Sequence, residues 1–379
     1  MSEVLRHVIE SIGPASTAHA EAACAKVTAA NASVLERLAV SLGGAQHAAT
    51  PRTERRIVVV CAGDHGAGDP GIALGASHPT VIAAAAIADG TAALCDVARA
   101  GRAPIVVVDA GAFEAAAMPA SVIALGRGPT RDLRREPAMT VVDAALGLEA
   151  GIALAISLSE AGLDVLALGA LGVGSELAAA ALLGALSRRD CPTPLTGDAP
   201  HLRTSGKPEL VLVDAVASGP DFPLADERGE AHPLSTEPGF PLVDEPAWRR
   251  AQAFTDPEVT RAFERGHATT GSALELLAVF GGPETSVLAG LILGAASLHV
   301  PVILDGHATG AAALIAVGLV PAVSGYLVAS HAGSPLHAAV LTQLGLAPIF
   351  EVGLGHGEGI GAALVFPWID QVAALTGPR

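Results

Sequence analysis

The feature that most constrains this chain is a pattern repeated along most of its length. A short β-branched run ends in a small or acidic residue, and an Ala/Leu-rich stretch long enough for a helix follows. The runs are 57–61 before Ala62-Gly63-Asp64-His65-Gly66, 105–108 before Asp109, 165–168 before Gly169, 210–213 before Asp214 and 300–304 before Asp305-Gly306. A weaker sixth, 326–329, precedes Ser330-His331. Continuous apolar runs, rather than alternating ones, belong to strands buried on both faces. The expected fold is therefore α/β: a Rossmann-like parallel sheet with helices on both faces. Right-handed crossovers place the carboxyl ends of such strands on one edge, and ligands bind in the crevice beyond it. The Asp, Gly, Ser and His residues that close the runs are thereby gathered at one edge, although any one of them alone is also an ordinary strand terminator or helix cap.

Composition narrows the classes of function. The chain has 379 residues, enough for a sizeable core, and with 51% hydrophobic but only 3% aromatic residues that core must be aliphatic. Lys and Arg total 22 against 38 Asp and Glu, a net charge of −16, which repels polyanions and argues against nucleic acid as a partner. Cys24, Cys61, Cys95 and Cys191 form no C-x-x-C and no dense disulfide frame. The opening MSEVLRHVIE lacks the basic start and apolar run of a signal peptide, so the expected location is the cytoplasm. Residues 285–304 carry no formal charge, yet Pro301 divides them and Asp305-Gly306 ends them, so they read as a buried helix and a strand rather than a membrane span.

Residues 1–50 show helical patterning without a convincing strand, as does most of 331–379, so a small helical domain built from both chain ends is expected beside a large α/β domain over 51–330. Within the large domain, 188–250 is an irregular acidic and Pro-rich excursion, too long for an ordinary connection.

Two glycine-rich segments stand out. Gly169-Ala170-Leu171-Gly172-Val173-Gly174-Ser175 follows a strand and opens an Ala-rich helix, where close backbone approach and free amides favour a phosphate. A tight strand-to-helix turn would need the same glycines, and spacing does not separate the two readings. No Walker lysine follows, and no G-x-G-x-x-G with a later acid, so neither a nucleoside triphosphate nor a dinucleotide is indicated. Near the tail, Gly353-Leu354-Gly355-His356-Gly357-Glu358-Gly359-Ile360-Gly361 sets one carboxylate and one imidazole among glycines. Such density costs backbone entropy, and a carboxylate held there can serve as a general base; the plainer reading is a turn whose Glu358 complements a helix dipole.

His331 and His337, with His65, His307 and His356, match no familiar zinc spacing, so no metal is expected. Ser330-His331 lacks a G-x-S-x-G elbow. A phosphoribosyltransferase that uses the pyrophosphate donor would show paired acids after a strand, where this chain has Asp305 alone.

Taken in order, CAGDHG at 61–66, VVDAG at 107–111, LGALGVGS at 168–175, GGPE and LAGLILGAA at 281–296, PVILDG at 301–306, YLVASH at 326–331 and GEGIGAAL at 357–364 resemble the nicotinate-nucleotide:dimethylbenzimidazole phosphoribosyltransferase family. The resemblance spans about residues 57 to 370 apart from the acidic excursion. It implies an α/β domain with a small helical domain from both chain ends, a homodimer, and attack of an azole nitrogen on nicotinate mononucleotide to release nicotinate. It implies neither metal nor cofactor. Carried across by position, the catalytic carboxylate is Glu358 and the phosphate loop is Gly172, Val173, Gly174 and Ser175, with Lys207 as a further phosphate-side residue. Gly282, Asp305 and Ser330 would line the same crevice, with Asp64 and His65 on the neighbouring loop.

The departures fall on the base side. Ala170 stands where the family has Glu, no Gln matches around 78–82, Gly355 and His356 replace Arg-Leu before G-E-G, and the segment 330–337 lacks its Glu. They leave a non-catalytic paralogue that binds a nucleotide or cobamide precursor, and a related nucleoside phosphorylase or hydrolase, as competing readings.

Overall fold

The structure is a computed structural model that describes residues 2–27, 33–68, 71–187, 256–351, 353–354 and 357–377. The run 210–213, Lys207, His356 and the excursion 188–250 lie outside the described residues. Six strands are present: β1 (Arg56–Gly63), β2 (Ile105–Gly111), β3 (Ile123–Ala124), β4 (Val165–Leu171), β5 (Val302–Leu304) and β6 (Leu327–Ala329). They form one sheet in the order β3-β2-β1-β4-β5-β6, and all the pairings are parallel. The runs expected around 57, 105, 165, 300 and 326 are strands, whereas β3, two exposed residues long, carries no periodicity to read. From the β1/β4 pair the order runs outward in both directions, so the connections diverge there and leave a crevice at the carboxyl ends.

The first helices are α1 (Glu3–Ser11), α2 (Thr17–Val27), α3 (Ser33–Ala45), α4 (Pro79–Ala88) and α5 (Ala93–Ala100). The middle of the chain adds α6 (Val141–Glu160), α7 (Ser175–Leu186), α8 (Pro257–Ala268), α9 (Ala273–Phe280) and α10 (Pro283–Ser297). The last are α11 (His307–Leu319), α12 (Pro335–Gln343), α13 (Ile360–Leu364) and α14 (Phe366–Thr376).

Helices cover both faces of the sheet. One core joins α6, α7, α10 and α11 to Val59, Cys61, Leu166 and Leu168, and the other joins α3, α5 and α14 to Val58, Val60, Val165 and Ala167. The alternation along each strand is the period-2 pleat, with both faces apolar. Residues 285–304 are most of α10, a turn and β5, and α10 is buried from Pro283 to Ala296. By length and composition two other stretches, Pro79–Ala100 and Val141–Glu160, are apolar enough to span a bilayer, but the first is interrupted between α4 and α5, and α6 lies along α10.

That α6–α10 contact brings backbone against backbone. A Cβ added at Gly151 would stand 2.0 Å from Val287 O, and one at Gly290 would stand 2.1 Å from Leu148 O. The chain ends also meet: Lys26 Nζ donates to Thr376 O at 3.0 Å and Arg37 Nη2 to Pro348 O at 3.1 Å. Leu38 and Leu42 of α3 share a core with Phe366, Ile369 and Val372 of α14, while α1 packs on the opposite side against α6 and α10.

Candidate active site

Beyond the carboxyl ends of β1 and β4 lies a cleft of about 220 Å³. Ala170 to Val173 and Ser175 form one wall, Pro79, Thr80 and Ala83 of α4 another, and His307, Ala308, Gly357 and Glu358 the third. The walls fit only because glycines remove side chains where backbones cross. A Cβ on Gly172, whose φ is +151°, would stand 1.8 Å from Gly63 O. One on Gly169 would stand 2.5 Å from the carbonyl of Glu358, and Ala170 N donates to Gly357 O at 2.8 Å, so the Glu358 segment lies directly against the end of β4.

Two helices begin at this cleft. Gly174 precedes α7 and Gly306 precedes α11, and neither helix start has a side-chain cap. The positive ends of two macrodipoles therefore converge, which favours an anion. Between them Ser175 Oγ and His307 Nε2 are 3.2 Å apart. Burial pushes the His307 imidazole down to about 4, so it is neutral near pH 7 and able to share a hydrogen bond with the serine.

A second layer of polar groups holds these walls in place. Asp64, wholly buried, accepts from Thr80 Oγ1 at 2.6 Å, Val173 N at 3.0 Å and Phe113 N at 2.9 Å, and so ties α4, the glycine loop and the loop after β2 together. His65 N donates to Val173 O at 2.9 Å, and its Nε2 lies 2.9 Å from Glu284 Oε1 with both side chains buried. Burial alone would lower the His65 imidazole, but the Glu284 charge and hydrogen bond outweigh it and raise the net value. The same pairing overcomes burial at Glu284 and lowers it, so the two form an internal ion pair. On the opposite side Asp305 Oδ2 accepts from Gly359 N at 2.5 Å and Oδ1 from Ala362 N at 3.1 Å. Burial pushes the Asp305 carboxyl up to about 7; those amides oppose the shift, and the nearby Glu358 charge adds to it.

A sequence profile described as Phosphoribosyltransferase matches residues 9–206 and 243–377. A relative from Roseiflexus sp. (strain RS-1), named nicotinate-nucleotide–dimethylbenzimidazole phosphoribosyltransferase, is 34% identical over 370 residues, covering 95% of this chain and 91% of the relative. One of the same name from Deinococcus radiodurans is 34% identical over 351 residues, covering 90% and 82%. The crystal structure of CobT from Thermus thermophilus matches with a TM-score of 0.68 at 25% identity, covering 95% of each chain. The chain belongs to this phosphoribosyltransferase family.

In this phosphoribosyltransferase the residues expected from sequence fall into two groups. Gly172, Val173, Ser175 and Glu358 line the cleft, and Gly174 forms the turn between them and α7. Gly282, Asp305 and Ser330, expected on the crevice itself, and Asp64 and His65, expected on the neighbouring loop, are buried behind its lining. Ser330 Oγ donates to Leu304 O at 2.7 Å, and a Cβ on Gly282 would stand 2.4 Å from His65 Cε1, so both serve packing inside the wall. Asp64, Asp305 and Ser330 follow strands, and their side chains turn inward toward backbone donors and acceptors. Sequence reasoning did not single out Pro79, Thr80, Ala83 or Ala308 for the cleft, nor Glu284 behind it. The first four sit in apolar helical patterns that carry no chemical signal, while Glu284, a lone acid opening an apolar helix, was legible as an anomaly. Among the described residues no group of three or more His, Cys, Asp or Glu side chains is arranged to hold a metal ion.

Proposed function

We propose that this phosphoribosyltransferase moves the 5-phosphoribosyl group of nicotinate mononucleotide to a ring nitrogen of a benzimidazole-type base, releasing nicotinate and forming an α-ribazole 5′-phosphate. The observation that carries the reading is the shared cleft, in which Glu358 faces two uncapped helix starts across a space open to solvent. In the reaction the azole nitrogen forms a bond to the anomeric carbon while the bond from that carbon to the pyridinium nitrogen breaks. Its electron pair returns to the pyridine ring, which leaves without needing an acid. The azole N–H proton goes to Glu358. The amides of Gly172, Gly174 and Ser175 hold the 5′-phosphate, Val173 N fixes the loop through its hydrogen bond to Asp64, and the family resemblance supports Lys207 as a further phosphate-side residue. Asp64, His65, Gly282, Asp305 and Ser330 act by shaping and fixing these elements, a contribution of geometry. The chemistry requires neither metal nor cofactor. The names of the relatives support the substrates, and the family resemblance supports a homodimer.

Incubation with nicotinate mononucleotide and a panel of azoles and purines, followed by mass analysis, tests the proposal: nicotinate appears only with an acceptable base and in step with a new nucleotide. Saturable mononucleotide binding without release would make the chain a binder, and ribose 5-phosphate formed without base would make it a hydrolase. Glu358→Gln is expected to lower kcat by about 10²-fold or more, with mononucleotide affinity changed little, because the general base acts only in the chemical step. Unchanged turnover would remove Glu358 from the mechanism.

A further inference from the structure

The segment that carries Glu358 is anchored on both sides by one buried pair. On its far side, Asp305 accepts from Gly359 N at 2.5 Å and Ala362 N at 3.1 Å, so a carboxylate that follows β5 caps a helix distant in sequence. On its near side the His331 ring hydrogen-bonds the main chain of Leu354. The two anchors touch: His331 Nδ1 lies 3.5 Å from Asp305 Oδ1 and 3.0 Å from Ser330 Oγ. Both side chains are buried, at 0% and 1% exposure, and neither lines the cleft. A Cβ on Gly361 would come within 2.3 Å of both Asp305 Oδ1 and His331 Nδ1, and one on Gly306 within 2.6 Å of Gly357 Cα, so the fit leaves no slack.

We infer that Asp305 and His331 are positioning residues that act together to hold the Glu358 carboxylate at the distance proton transfer requires. The inference rests on the general-base reading of Glu358. Capping alone would have been met by a local Ser, Thr or Asp, as at α6 and α9, where Thr140 and Ser272 do so. Here the cap comes from another strand, which fixes the Glu358 segment to the sheet edge rather than merely ending a helix. A proton-transfer distance is steep in its effect, and a displacement of about 1 Å costs on the order of 10²-fold. Asn in place of Asp305 keeps the shape but turns an amide donor toward main-chain N–H groups.

The test uses the full chain with Asp305→Asn, His331→Asn and Glu358→Gln, singly and combined, measuring kcat, KM and calorimetric affinity for nicotinate mononucleotide. Each positioning variant is expected to lose about 10-fold or more in kcat with mononucleotide affinity held within about 3-fold, because the phosphate loop is anchored separately through Asp64. In the Glu358→Gln background neither is expected to lower kcat further, because the group they position is gone. Full turnover in either single variant, loss of mononucleotide binding along with turnover, or additive losses on top of Glu358→Gln would each overturn the inference. Retained turnover in Glu358→Gln alone would instead remove the general-base reading, so the two failures are distinguishable.

Discussion

His337 and Asp305 are buried titratable groups whose shifts run in opposite directions, and each leaves a mark on stability. Burial pushes the His337 imidazole down to about 3, with His331 and His307 adding to the shift. Its Nδ1 accepts from Gly333 N at 3.3 Å and its Nε2 has no partner among the described residues. A depressed histidine costs nothing above its unfolded value of 6.5, and folding must exclude the proton as pH falls from there toward about 3. Each pH unit in that window removes up to about 1.4 kcal/mol. Asp305, raised from 3.8 to about 7, binds its proton more readily when folded, so its contribution is full below 3.8 and fades as pH rises to about 7. Comparing wild type with His337→Gln isolates one group. Between pH 6.5 and pH 4 the urea midpoint of the wild type should drop more steeply than that of the variant, and parallel curves would show that His337 does not titrate on unfolding. Sequence alone placed these residues but not their directions. Strand-end position locates Asp64, Asp305 and Ser330 at the edge, whereas inward or outward orientation depends on which main-chain donors and acceptors the fold brings near, and those groups are remote in sequence.

The element scale was the most legible. Every run that falls within the described residues became a strand, because an uninterrupted apolar segment of that length has few places other than a doubly covered sheet. The helix contacts were not legible, since Ala/Leu/Gly sequences present almost the same apolar character on every side. In α6 and α10 small residues set the approach of the helices, and this yields a prediction opposite to intrinsic propensity. In an exposed helix Gly→Ala gains about 1 kcal/mol. At Gly151 the new Cβ would stand 2.0 Å from Val287 O and 2.7 Å from Leu291 N, backbone atoms that cannot rotate away. Gly151→Ala is therefore expected to destabilise by about 2–3 kcal/mol through overpacking, read as a fall in the denaturation midpoint. A midpoint that rises would mean that the two helices can separate at little cost.

At the scale of the whole molecule, charge and site oppose each other. The chain carries −16 overall, and its proposed substrate bears a phosphate with close to two negative charges near neutral pH, so the long-range field opposes encounter. Attraction begins only within reach of the two helix starts at Gly174 and Gly306, whose partial charges act over about one turn. Added salt screens the distant repulsion before it weakens that local grip, because the Debye length shrinks from about 30 Å at 0.01 M to about 8 Å at 0.15 M. The expected result is a rise of about 2- to 5-fold in kcat/KM for nicotinate mononucleotide across that range at constant kcat. An enzyme that steers its anionic substrate with a basic surface would show the reverse. A falling kcat/KM here would mean that cationic side chains dominate the approach to the cleft, and the phosphate would then be gripped by side chains rather than by main-chain amides.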